Sequence, residues 1–272
     1  MQKDGYWVIR TYKAGAVGEK TKFWVPGKRP DKNISRRQRD AIRKREQNEY
    51  SAVKRLARIL NMYFSAGDLM LGIDYADKGI RKLEKWISSQ GIELDKLDDA
   101  QRIEAIYLAA DHELTNCLRR ATRRAKKDGI VLKAALTTSD MDGETGESVR
   151  VHHHLVINRE AKEYFFAAWG DLGGVTWDPM WSDQEDRTDI AAYMLRQVRH
   201  VPDAKKFRTT RNLTPPVPKD RIVNSDAELQ VPRGGKLLFR REFSKNDSAQ
   251  YIRYVLPKYV KTNELSPDEQ ME

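Results

Sequence analysis

The sequence predicts an α+β fold in which helices flank a central antiparallel sheet. Two stretches, 130–138 and 148–158, follow a two-residue period, which predicts strands because side chains alternate faces along a strand. The segment between them, 139–147, is polar and contains glycine, so it predicts a turn that pairs the two strands in an antiparallel manner. On both sides of this hairpin, segments with the apolar spacing of helices alternate with further short strands. This mixture of helices and antiparallel strands is typical of α+β proteins.

The segment before this hairpin predicts a second hairpin, three helices and one buried strand. Strand-like runs occur at 6–12 and 22–25 and are joined by a glycine-containing loop. Apolar residues at helical spacing predict helices at 35–64, 77–89 and 98–127, and the short apolar run 69–75 predicts a buried strand.

The segment after the hairpin predicts helices and strands in alternation. The helices are expected at 159–169 and 187–200, and the strands at 174–177, 236–243 and 250–256. The chain then divides into an N-terminal hairpin and linker over 1–32, a main domain over 33–216, a C-terminal α/β appendage over 217–262 and an acidic tail over 263–272 that we expect to be disordered.

The charge of the chain indicates a polyanionic partner. The 272 residues include 50 Lys and Arg against 40 Asp and Glu, a net charge of +10. The last ten residues hold four acidic side chains and no basic one, so the rest carries +14. Nucleic acid is a commoner partner of such a surface than an anionic membrane, although a merely soluble basic protein stays open. With 39% hydrophobic residues, a wholly disordered chain is excluded.

The cysteine content and the hydropathy pattern indicate a cytoplasmic protein. Cys117 is the single cysteine and cannot form an internal disulfide. No apolar run approaches the length of a membrane span, and the first residues lack the apolar core of a signal peptide. Cys117 lies on the apolar stripe of its helix and is expected to be inert.

Two clusters of basic residues are candidates for phosphate contacts. The helix over 98–127 ends in six cations within nine residues, more than interaction with the helix dipole requires. Four of them are taken as nucleic-acid contacts: Arg119, Arg120, Arg123 and Arg124. The basic first half of the helix over 35–64 is equally consistent with a solvated face and with a phosphate-binding face.

Three consecutive histidines predict a metal site. On a strand, His152 and His154 project from one face about 6–7 Å apart, and His153 points away. We expect a carboxylate from the preceding loop, Asp140 or Glu144, to join them. Histidine with carboxylate and without thiolate favours Mg²⁺ or Mn²⁺ over a structural zinc ion. Histidines that are exposed or packed on the sheet without a ligand remain the alternative.

A tyrosine on the helix over 187–200 is a candidate nucleophile. Tyr193, Arg196, Gln197 and His200 follow the i, i+3, i+4, i+7 spacing of one helix face. A tyrosine beside guanidinium and a divalent cation can lose its proton and attack phosphorus. The alternative is a half-packed tyrosine at the edge of the core.

The order of three segments resembles the three motifs of HUH endonucleases, nearest to the rolling-circle replication initiators of bacteriophages, prophages and small plasmids. The segments are 68–75, 150–156 with the three histidines, and 192–197 with Tyr193. The stretch 143–147 resembles a Gly-Glu-x-Gly element of such initiators, and 206–213 resembles the basic segment after their tyrosine helix. The resemblance covers roughly 47–216, and in its last part it makes four cations candidate DNA contacts: Lys205, Lys206, Arg208 and Arg211.

The resemblance implies an HUH-like fold and an endonuclease that nicks single-stranded DNA at a replication origin. His152 and His154 would hold the metal, and Tyr193 would form a 5′-phosphotyrosine link while freeing a 3′-OH primer for host DNA polymerase. Many relatives carry Lys three or four residues after the tyrosine; here Arg196 would stabilise phosphate charge. Because no second tyrosine stands one turn away, the single-tyrosine class fits better.

Three further expectations accompany this interpretation. The sequence has no GxxxxGK[ST] element, so a host helicase is expected to unwind the DNA. A non-catalytic, sequence-specific DNA-binding regulator is one alternative. A single-tyrosine transposase or relaxase is another, with the same chemistry on a different substrate.

Overall fold

A computed structural model describes residues 5–26, 40–142, 145, 147–181, 185–198, 206–243 and 249–260. The chain divides into two compact units, one over 51–214 and the other formed by 1–50 together with 215–272. The strands are β1 (Gly5–Ala14), β2 (Val17–Pro26), β3 (Leu69–Asp74), β4 (Ala134–Met141), β5 (Ser148–Ile157), β6 (Val175–Pro179), β7 (Arg208–Thr209), β8 (Lys219–Val223), β9 (Lys236–Phe243) and β10 (Ala249–Val255). The α-helices are α1 (Asp40–Tyr63), α2 (Asp77–Ser89), α3 (Asp99–Lys127), α4 (Lys162–Trp169) and α5 (Thr188–Arg196).

The unit over 51–214 is built on an antiparallel sheet with the strand order β6-β3-β5-β4-β7. The histidine-bearing strand β5 is therefore central, with β3 and β4 as its neighbours. This arrangement confirms the predicted α+β class and the central antiparallel sheet flanked by helices.

The two faces of this sheet carry two separate apolar cores, because alternate residues of each strand point to opposite sides. Leu155 of β5 and Leu71 of β3 pack with α2, α3 and α4 on one face. Val156 packs with Leu60 of α1 and Met194 of α5 on the other. The histidines at even positions of β5 therefore share the face that α5 covers.

The second unit is also built on a five-stranded antiparallel sheet, with the order β8-β1-β2-β10-β9. Its small core contains Ile9, Leu229, Ile252 and Tyr254. The sequence interpretation placed the N-terminal hairpin and the C-terminal appendage in separate regions, whereas here they form one sheet. The two outer edges of the hairpin carry unpaired backbone groups, and β8 and β10 satisfy them.

Most predicted elements agree with the structure to within a few residues; of three differences, the first two have local causes. The first hairpin has a short turn with Gly15 in the left-handed region (φ 58°), so its strands are longer than expected. The strand expected from 130 begins at Ala134, because the Asn158 side chain binds the Lys133 N–H and the Val131 carbonyl. The tyrosine helix ends at Arg196 rather than 200.

Several expectations fall on residues outside the described ranges. They are the linker and first helical residues over 27–39, the end of the tyrosine helix at 199–200 and the acidic tail. Within the described residues, no helix combines the length and apolarity that a membrane crossing requires.

Candidate functional site

The candidate site lies on the face of the 51–214 sheet that α5 covers. Strand register places His154 opposite Gly72 of β3 and Thr137 of β4. His152 lies opposite Asp74 and Ser139. The two imidazole rings contact each other edge to face, with ring centroids 5.1 Å apart. The predicted projection of both histidines from one face is therefore observed.

Gln197, the residue that follows α5, brings a third donor atom to the two histidines. Its side-chain oxygen Oε1 lies 2.9 Å from Nε2 of His152 and 3.0 Å from Nε2 of His154. Two imidazole nitrogens of β5 thus meet the same amide oxygen at the end of α5. The sequence marked Gln197 as a neighbour of Tyr193 at i+4 but did not assign it to the metal site.

The hydrogen bond made by Nδ1 of His152 determines which of its two ring nitrogens carries the hydrogen. Nδ1 lies 3.0 Å from the carbonyl oxygen of Arg150, which has no hydrogen to donate, so Nδ1–H donates this bond. In the neutral ring Nε2 then carries a lone pair facing the oxygen of Gln197. Two lone pairs 2.9 Å apart repel each other unless a cation lies between them or the amide turns over and donates its N–H groups.

The distances within this donor set fit a divalent cation. Ligands about 2.1 Å from one ion and at right angles to each other are about 3 Å apart, close to both histidine–glutamine separations. A histidine ligand commonly donates its other N–H to a backbone carbonyl, as His152 does here. His152, His154 and Gln197 are therefore the described residues that could hold a metal ion.

The environment of His154 favours the neutral, metal-binding form. Burial lowers the pKa of His154, and the nearby His152 acts in the same direction. The hydrogen bond that His154 donates to the Gln197 oxygen and the negative charge of Asp74 partly oppose this shift by favouring the protonated form. Asp74 therefore contributes to the electrostatics of the site, although the sequence interpretation did not select it.

Tyr193 lies beside the same histidine. Its ring packs edge to face on the His154 ring, with centroids 5.0 Å apart. Its neighbours Met194 and Ala191 are buried in the core, whereas 43% of Tyr193 is exposed. Arg196 closes the helix and is exposed, and none of the residues that the structure describes hydrogen bonds to its side chain. A phosphate that reaches the histidine pair therefore has access to both side chains.

Of the two carboxylates expected as metal ligands, only Asp140 lies in the described residues. Asp140 is buried in β4, where a register shift between Ser139 and Met141 leaves Ser139 opposite His152. No His, Cys, Asp or Glu of the described ranges forms a metal-binding group with both histidines. Glu144 lies outside those ranges.

His153 points to the opposite face, as the alternation predicts, and is fully buried. Thr138 donates its hydroxyl hydrogen to Asp111 over 2.9 Å, so Nδ1–H of His153 donates to Thr138 over 3.2 Å. Nε2 then accepts from the Tyr75 hydroxyl at 2.9 Å. Burial lowers the pKa of His153 well below its ordinary value of 6.5. This histidine is a structural residue of the core.

The candidate phosphate-binding cations divide into two groups. Arg120 pairs with Glu113 at 3.0 Å, and Arg120 and Arg124 donate to carbonyls at the end of α4 over 3.1 Å. Arg208 pairs with Asp111 and donates to Thr115, which fixes β7 to α3. These three guanidinium groups hold elements of the fold together.

The other candidate cations face outward or lie outside the described ranges. Arg119, Arg123 and Arg211 are exposed and have no carboxylate partner in the described part of the chain. Lys206 is half-buried, and Lys205 lies outside those ranges.

Comparison of the chain with protein families, with curated proteins and with solved structures gives no match.

Proposed function

We propose that this chain is a rolling-circle replication initiator of the HUH type, an endonuclease that nicks single-stranded origin DNA through Tyr193. The observation that carries the proposal is the convergence of His152, His154 and Gln197 on one point, with Tyr193 packed against His154. The ordered segments that resemble the HUH motifs supply each of these four residues. A DNA-binding regulator without catalysis has no use for this convergence.

The residues of the site have distinct roles in the proposed reaction. The Tyr193 oxygen loses its proton to solvent and forms a bond with the scissile phosphorus, while the bond from phosphorus to the 3′ oxygen breaks. The departing oxygen takes up a proton and becomes the 3′-OH primer, and the downstream strand stays attached as a 5′-phosphotyrosine. Arg196 lies one turn from the tyrosine, where its charge stabilises the phosphate.

A divalent ion such as Mg²⁺ or Mn²⁺, held by His152, His154 and Gln197, would supply Lewis-acid polarisation of the phosphate. The residues prepare this site: Arg150 fixes the tautomer of His152 through its carbonyl, and burial keeps His154 neutral. Gln197 and Tyr193 are one helical turn apart, so the tyrosine and the third metal ligand move together.

The phosphotyrosine link conserves the energy of the broken bond. Attack by a later 3′-OH on the phosphotyrosine restores the tyrosine and joins the two DNA ends, which closes a circle. Single-stranded origin DNA, host DNA polymerase and a host helicase are the partners this cycle requires. Single-tyrosine transposases and relaxases use the same chemistry on other substrates.

The decisive experiment is covalent capture of DNA by the full chain. A pool of 3′-labelled single-stranded oligonucleotides of random sequence is incubated with the protein and MnCl₂ and then separated on a denaturing gel. We expect the label to migrate with the protein, whereas 5′-labelled fragments are released. Tyr193→Phe should abolish the adduct almost completely, because it removes the reacting oxygen.

Tyr164→Phe is the matched control. It also removes one tyrosine hydroxyl from a helix of the same unit, but that hydroxyl is bonded to Asp128 on the surface. Its adduct should equal that of the unaltered protein. An adduct that persists in Tyr193→Phe, or that maps to Tyr251 or Tyr254 of the other unit, refutes the proposal.

A further inference from the structure

A basic groove lies beside the outer edge of the 51–214 sheet, between the second half of α3 and strands β4 and β7. Its volume is about 740 Å³. Aliphatic side chains form its floor, among them Ile130, Val131 and Leu136. Its rim carries Arg119, Arg123, Lys126 and Arg211. We refer to these residues together as the basic groove.

The rim of the basic groove holds uncompensated positive charge. All four rim cations are exposed. Across the described ranges, no carboxylate lies within ion-pair distance of any of them, and no acidic residue lines the groove. Arg208 also lines the groove, but Asp111 neutralises it. Four like charges around one cavity create a local potential that attracts an anionic ligand.

The floor distinguishes between anionic ligands. Proteins that bind single-stranded nucleic acid commonly stack bases on aromatic side chains, and the groove lining contains none. The accessible aliphatic surface of the groove comes instead from Val131, which is 62% exposed, and from the half-buried Ile130. Such a surface binds the apolar side chain of a peptide, which gains free energy in proportion to the area it buries.

The basic groove is separate from the candidate site. Leu136 of the floor pairs with Leu155 of β5, and Leu155 follows His154 directly. Because successive side chains point to opposite faces, the floor and the histidine pair lie on opposite faces of the sheet. A ligand in the groove therefore leaves Tyr193 and its neighbours accessible.

We propose that the basic groove binds an acidic peptide segment of a partner protein, with one large apolar side chain on the floor and carboxylates on the rim. The aliphatic floor matches the apolar side chain of such a peptide, and the cationic rim matches its carboxylates. Neither feature alone would select a ligand that carries both. The proposal concerns recruitment of a partner and does not depend on the proposed nicking activity.

The test uses the full chain and a fluorescein-labelled peptide, Glu-Asp-Asp-Leu-Phe-Asp-Glu, in a fluorescence anisotropy titration at low salt. We expect saturable binding that weakens as salt rises, because the rim contacts are exposed ion pairs. Replacing Leu-Phe of the peptide by Ser-Ser should weaken binding by about tenfold or more, the equivalent of about 1.4 kcal/mol.

Charge reversal on the rim completes the test. Arg119→Glu combined with Arg123→Glu should weaken peptide binding by about tenfold or more. Arg81→Glu combined with Lys127→Glu changes the net charge equally at exposed positions outside the groove, and should change affinity by less than about twofold. Lys126→Glu alone, expected to weaken binding by about threefold, replaces the first double variant if it fails to fold.

Three outcomes overturn the proposal. The first is that no saturable binding occurs, and the second is that the rim variants and the control pair lose affinity equally. The third is that oligothymidylate displaces the labelled peptide, and that oligothymidylate binding depends on Arg119 and Arg123. That result would assign the groove to nucleic acid.

Discussion

Removing the Tyr75 hydroxyl tests the hydrogen bond that this hydroxyl makes with His153. In Tyr75→Phe, Nε2 of the fully buried His153 loses the hydrogen that it accepts at 2.9 Å. A typical buried hydrogen bond contributes about 1 kcal/mol, and a polar atom left without a partner in the core costs about 1–3 kcal/mol. We expect the free energy of unfolding to fall by about 2 kcal/mol.

The measurement is urea denaturation of the full chain, followed by circular dichroism. The two units are able to unfold in separate transitions, so the change should appear in the transition of the 51–214 unit. Tyr164→Phe is again the control, because its hydroxyl bonds to Asp128 at the surface. That variant should lose less than about 0.5 kcal/mol.

A loss in Tyr75→Phe no larger than the control would refute the expected contribution of this buried hydrogen bond. It would mean that the Tyr75 hydroxyl adds no net stability through His153 or through the Ala110 carbonyl, which lies 3.2 Å away. The burial of His153 also affects how its variants are tested. His153→Ala leaves a cavity in the core and should destabilise the protein, so the activity of this variant is compared at a temperature where the variant is shown to be folded.

Three further predictions concern the proposed metal site, the buried His153 and Cys117. Gln197→Leu should weaken Mn²⁺ binding by about tenfold or more in isothermal titration calorimetry, while Gln90→Leu, at the exposed end of α2, should not; equal affinities would exclude Gln197 as a ligand. Below pH 6.5, His153 binds a proton in the unfolded chain but stays neutral in the folded chain, because burial lowers its pKa. The free energy of unfolding should therefore fall by up to about 1.4 kcal/mol for each pH unit below 6.5, and His153→Gln should make this pH dependence weaker. Burial raises the pKa of the Cys117 thiol to about 12, so at pH 8 it should react with a disulfide reagent only after urea unfolds the protein; rapid reaction of the folded protein would contradict its burial.

Local patterns in the sequence predict those elements whose stability is mostly local. The helices over 77–89 and 98–127 were predicted to within one residue, because amphipathic spacing extends along their length and Asp98 begins α3 with a capping box. The alternation of His152, His153 and His154 was also predicted correctly, because the side-chain period of a strand depends on the backbone alone.

Long-range pairing was the part that local patterns did not predict. Nothing near Val17 or Lys22 of β2 identifies β10 as its neighbour, although the two strands pair along Gln250–Val255. The contact of Gln197 with the histidine pair was missed for a related reason. Gln197 reaches the histidines because α5 packs on the sheet, and this packing cannot be read from the local sequence.

Charge patterns were also insufficient to assign roles to individual arginines. Arg120, Arg124 and Arg208 belong to basic segments, yet each donates a hydrogen bond to a residue of α3 or α4 that lies far away in the sequence. Their neighbours Arg119 and Arg123 occupy the same helix and remain exposed. Consecutive residues of α3 point in different directions, so Arg119 and Arg120 have different surroundings, as do Arg123 and Arg124. The packing of α3 on α4 determines which of these arginines reach the carbonyls of α4.

The interleaved sheet of the second unit has a consequence for the order of events during synthesis on the ribosome. Strands β1 and β2 emerge first, but their outer partners β8 and β10 are made only after the whole 51–214 segment. Until then the nascent hairpin presents two open strand edges, which invite pairing with other chains. The intervening segment, with its own core, is able to fold while the hairpin waits. Interruption of translation before Lys219 would therefore leave one finished unit attached to one unpaired hairpin.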